Sequence, residues 1–262
     1  MGHHRLKSVP KVRKWRAVVD GVLGGAGPLS GDVDRLAALT LDTAAPALER
    51  GKADVGLRHT FYLLTQIALA AREPDWRARL AAVGIPLPSD ASLFDLTTAL
   101  HTAVDGHVSA RGHPTDIGEM AQQAAGEALA SLAGNNAATL FGSGGEHLQR
   151  AVRRLSTRAG FARLGQRFFG RFLTRFLNFY LSRLTATAAG GERARSVGDV
   201  SRFNDALLTH CQQSALIVRG FCGQWYSKTE FVEGIDADNA SRFMAVALRK
   251  LTDELGQQRL GL

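Results

Sequence analysis

The segment 158–186 constrains the fold more than any other part of this chain. Around GQRFFGRFLTRFLNFYLSR (165–183), arginine returns every fourth residue, at Arg163, Arg167, Arg171 and Arg175, in the midst of phenylalanine. On a helix turning about 100° per residue, with Arg163 at the origin, the other three fall at about 40°, 80° and 120°. Thr174, Asn178 and Ser182 share this arc. Phe161, Phe168, Phe172 and Phe179 gather near about 140–180°, and Phe169, Leu173, Phe176, Tyr180 and Leu184 continue round to about 300°. A narrow basic arc thus faces an apolar arc about half the circumference wide. Such a helix must be covered by neighbours on several sides or lie in a membrane interface. With arginine at every turn it cannot span a bilayer.

The rest of the chain supplies helical neighbours and no convincing strand. Helical periods predict elements at 13–23, 30–48, 54–72, 74–83, 92–109, from Thr115 to about 133, 145–155, 158–186, 199–225 and 238–258. Pro46 is expected to kink or end the second early. GIPLPSD (84–90) reads as an extended connector. Asp236 or Asp238 caps the last helix. The expected fold is all-α, an orthogonal or bundle-like domain of about eight to ten helices without significant sheet. GNNAATLFGSGG marks an internal boundary at 134–145, between an N-terminal helical subdomain (13–133) and a C-terminal one (146–262). Residues 1–12 read as a flexible basic arm. No apolar run approaches the roughly 18 residues of a membrane span, and none follows the basic start as a secretory signal would. A cytoplasmic protein is expected.

Charge is unevenly placed. Residues 1–16 carry six basic side chains and no acid, and residues 147–191 carry nine arginines and no acid. Setting both blocks aside turns the formal net charge of +8 into −7. Two basic blocks on an acidic body point to an anionic partner.

Signatures of catalysis are missing: no Walker loop, nucleophile elbow, zincin helix or paired Cys-x-x-Cys site occurs. Ser8 and Lys11 have Ser-x-x-Lys spacing but sit in the arm. DADNAS (236–241) resembles the start of a calcium loop, yet its twelfth position is Ala247 rather than glutamate. His101, His107 and His113 step by about 240° and share no helix face. Cys211 and Cys222, placed on one helix, lie roughly 16 Å apart, too far for a disulfide. No metal or cofactor is expected. GSGG (142–145) could offer backbone N–H groups to a phosphate, although Glu146 opposes an anion there.

Two readings of the arginine row remain. In one, acids from other helices, such as those of EFVEGIDAD (230–238), neutralise it from within, leaving a helical interaction scaffold whose basic surface docks an acidic partner. In the other, the row tracks phosphates, since arginine's planar fork suits them. Arg150, Arg153, Arg154 and Arg158 would extend that surface upstream. Lys11, Arg13, Lys14 and Arg16 would join from the N-terminus, with Trp15 free to stack. Trp225, Tyr226 and Lys228 form a candidate secondary contact. The expectation is a non-enzymatic nucleic-acid-binding or assembly subunit within a multi-protein complex, with an acidic protein partner as the rival and an enzyme with an unrecognised site third.

Overall fold

Helix starts are written into the chain as small oxygen-bearing side chains. Asp54, Ser92, Thr115, Thr157 and Ser196 each accept a hydrogen bond from the backbone N–H three residues on. Ser92 and Ser196 complete capping boxes with Asp95 and Asp199. Asp236 and Asn239 cap the last helix reciprocally, each accepting from the other's backbone N–H. Such caps contribute about 1 kcal/mol each.

The computed structural model describes residues 13–134 and 145–258. They form eleven α-helices: α1 (Arg13–Leu23), α2 (Val33–Gly51), α3 (Val55–Ala70), α4 (Trp76–Ala82), α5 (Leu93–Arg111), α6 (Asp116–Ala133), α7 (Gly145–Arg153), α8 (Arg158–Ala188), α9 (Val197–Ser214), α10 (Leu216–Val232) and α11 (Ala237–Gln258). Short 3-10 turns occupy Leu29–Asp32 and Arg154–Ser156. No strand occurs among the described residues, only isolated bridges at Ala189–Ala194 and Gly191–Ala194. The fold is all-α, with one helix more than the upper end of the expected count.

Of the two outcomes expected for Pro46, an early end does not occur: α2 runs on to Gly51. Its ring is exposed, and on that side water can serve the carbonyl left without an amide. The helix expected over 199–225 is two helices, hinged at the buried Ala215.

The long α8 is the centre of the packing. It touches α1, α2, α6, α9 and α10, as its wide apolar arc requires. On the other side, α3 lies against α4, α5, α6 and α11. Phe61 of α3 joins the two groups: its ring lies 5.5–6.3 Å from those of Phe161, Phe168, Phe169, Trp225 and Phe243. Close approach of α10 to α8 depends on Gly165, where a Cβ would collide with Cys222 Sγ. Buried apolar side chains from Trp15 to Leu251 form one continuous cluster. The boundary expected at 134–145 falls largely on 135–144, outside the described residues, as do 1–12.

Cys211 and Cys222 lie on α9 and α10 rather than on one helix, and both thiols are free and buried. Burial pushes the Cys211 thiol up to about 12 and raises that of Cys222 as well. A thiolate is the reactive species, so both should be inert in the folded protein. We expect a small aromatic disulfide reagent to titrate two thiols in denaturant and neither, on the same timescale, in native buffer. Rapid native labelling of even one would contradict this packing.

Candidate anion-binding surface

The arginine row does not behave as a unit. Arg163 and Arg167 are exposed, while Arg171 and Arg175 are half-buried. The difference comes from α6, which packs along the later part of α8. Its Glu127 accepts from Arg171 Nη1 on one carboxylate oxygen and from Arg175 Nη2 on the other. Arg175 also donates to Gln123 Oε1. The Nε atoms of both arginines are buried without an acceptor. Half of the row is therefore an internal ion-pair network. The acids of EFVEGIDAD are not its partners: Glu230 pairs instead with Arg72. Arg72 also donates to the Ser156 carbonyl and sits 5.5 Å over the Tyr226 ring.

Upstream, the picture reverses. Arg150, Arg153, Arg154 and Arg158 are exposed, like Arg163 and Arg167. Among the described residues no ion pair joins any of these six to a carboxylate. Arg150 is held locally, with Nε donating to the Glu146 carbonyl at 3.3 Å and Nη2 facing His147 Nδ1 at 3.3 Å. The first turn of α8 contains no acid, and Thr157 caps it. The positive end of the helix dipole thus coincides with the open arginines. The GSGG phosphate loop lies at 142–145, of which only Gly145 is described.

The N-terminal block contributes less than its sequence suggests. Lys11 and the Arg13 side chain lie outside the described residues. Lys14 is exposed but bridges to Asp42 at 2.9 Å, and Arg16 is exposed. Trp15 is not free to stack: it is buried, 6.2 Å from the Tyr180 ring. That contact also places α1 along α8 some 13–17 residues from Arg167 and Arg163, about 20–26 Å along the axis. The two basic blocks therefore meet α8 at different levels.

The secondary contact is also corrected. Tyr226 is fully buried and stacked on Phe161 at 4.0 Å. Trp225 stacks on Phe243 at 4.2 Å. Tyr226 belongs to the core, Trp225 is partly buried against it, and Lys228 is exposed. A cation that the sequence did not single out stands nearby: Arg219 of α10 is exposed and lines a cavity with Arg158. In the middle of an unbroken helix it would carry no signal; the break at Ala215 puts it in a first turn.

Among the described residues, no group of three or more His, Cys, Asp or Glu side chains is placed to hold a metal ion. His101 Nε2 meets the Gln122 carbonyl at 3.0 Å, and His59 stacks on His107 at 3.5 Å. Burial, then the charges of His107 and Arg111, lowers His59 to about 4. No described helix is long and apolar enough to cross a membrane. No protein-family model matches the chain, and no curated protein or solved structure matches it.

Proposed function

We propose that the protein is a non-enzymatic nucleic-acid-binding subunit that holds phosphates along α7 and the first half of α8. One observation carries this reading. From Arg150 to Arg167, six arginines stand exposed without a carboxylate partner among the described residues, whereas Arg171 and Arg175 on the same helix are paired. Leaving six like charges uncompensated disfavours the free surface, and a polyanion relieves it. Guanidinium groups on successive turns suit a phosphate backbone, which fixes position without reading sequence.

Changing Arg153, Arg154, Arg163 and Arg167 together to Gln should weaken binding to all single-stranded oligonucleotides alike. The log–log salt slope should fall in magnitude by about 0.7 for each phosphate that is no longer neutralised. Fluorescence anisotropy from low to physiological salt measures both. Changing Arg171 and Arg175 to Gln should instead lower stability, because it strips Glu127 of its partners, and should leave the slope unchanged. Unaltered affinity and slope in the folded quadruple variant would sink the proposal.

A second reading, docking of an acidic protein partner on the basic surface, draws on Glu127, a carboxylate that Arg171 and Arg175 hold between them. An acidic peptide that binds the wild type while oligonucleotides do not would favour it.

A further inference from the structure

We propose that the cavity between the start of α8 and the start of α10 binds a phosphate monoester. The cavity holds about 510 Å³, and Arg158 and Arg219 enter its lining from different helices. Both side chains are exposed, and among the described residues neither meets a carboxylate. Neither helix has an acid in its first turn. Two cations thus share one concave space. A phosphate monoester carries about −1.5 to −2 at neutral pH and accepts planar guanidinium forks from two sides. A carboxylate has only half that charge.

The walls decide for an ester over inorganic phosphate. The volume lies within the roughly 300–1,000 Å³ of small-molecule sites and leaves room for an organic group. Ala159, Ala162 and Gly220 give a smooth lining without competing polar side chains, and Leu216, 49% exposed, is an apolar surface for that group to cover. The extended arginine surface, by contrast, would hold the diesters of a strand. The ester is therefore either a free nucleotide or the 5′-terminal phosphate of a nucleic acid, two sources of one chemistry.

Titration calorimetry with adenosine 5′-monophosphate on the full chain tests the site. Saturable one-site binding is expected. Arg158→Gln and Arg219→Gln should each weaken it about tenfold. Gly220→Leu should weaken it by placing a bulky side chain in the cavity. A Cβ at Gly220 meets nothing within 4 Å, and leucine improves the helix, so this variant should fold and melt like the wild type. The quadruple Arg153, Arg154, Arg163 and Arg167 variant should bind the nucleotide normally, so failure of this site and failure of the extended surface are separately visible. A preference for a 5′-phosphorylated over a 5′-hydroxyl oligonucleotide, abolished in Arg219→Gln, assigns the strand end. Nucleotide binding without that preference assigns the free ester. The proposal is overturned if neither ligand shows saturable, phosphate-dependent binding, or if Arg219→Gln and Gly220→Leu leave binding unchanged.

Discussion

Replacing Phe61 with alanine is expected to lower the unfolding free energy by about 3–5 kcal/mol. The Phe61 ring is almost fully buried and is flanked by five aromatic rings from α8, α10 and α11. Truncation removes the transfer energy of the ring. It also leaves a void that five large neighbours, each held by others, cannot collapse to fill. At about 2–4 °C per kcal/mol for a chain of this size, the melting midpoint should drop by roughly 10 °C. Phe61→Leu should fall between the two, because it restores most of the volume but none of the ring–ring contacts. Thermal unfolding followed by circular dichroism measures both. A midpoint within a degree or two of wild type for Phe61→Ala would mean that the ring cluster does not join α3 to α8.

Arg193→Ala should be the most damaging change of a charged residue. Arg193 is only 5% exposed, in the turn between α8 and α9. Its guanidinium donates to the carbonyls of Gly21 and Gly27 and to Asp32. Its own carbonyl accepts from Leu29 N–H at 3.2 Å. One side chain thus fastens the whole connection from α1 to α2. Its removal leaves buried carbonyls without donors and should cost about 2–3 kcal/mol. Lysine should not rescue it, since Nε, Nη1 and Nη2 each serve a different acceptor and one ammonium nitrogen cannot stand in all three places. Hydrogen exchange adds a local readout: amides across 24–32 should lose protection well before those of α8. Wild-type exchange there in Arg193→Ala would rule out the clamp.

Much of the fold is legible from periodicity and capping. The apolar arc of 158–186 demands neighbours on several sides, and Ser92 and Thr115 open helices where the structure has them. The break at Ala215 is not legible. No glycine or proline signals it, and Ala215 keeps right-handed backbone angles, φ −71° and ψ −5°. The turn is imposed by packing around a buried residue, a tertiary cause with no local mark. The division of the arginine row is hidden for a related reason. Helical spacing finds the arginines, but their carboxylate stands 44 and 48 residues earlier on another helix. The packing of Trp15, Trp225 and Tyr226 against other rings is equally hidden, because an aromatic ring beside basic residues has the same sequence appearance whether it faces a base or another core ring. Their ring contacts depend on α8 and α11 arriving from elsewhere.

The Arg193 clamp bears on the order of events at the ribosome. The groups it fastens lie 161–172 residues earlier in the chain. Trp15 waits almost as long for Tyr180. While the chain is emerging, α1 has chiefly α2 to lean on, and the loop between them has no lock. At about 5–20 residues per second, that interval lasts on the order of ten to thirty seconds. For that time the nascent chain shows an amphipathic basic helix, which any anionic surface or chaperone nearby can reach first. The last contacts to form are those that withdraw it.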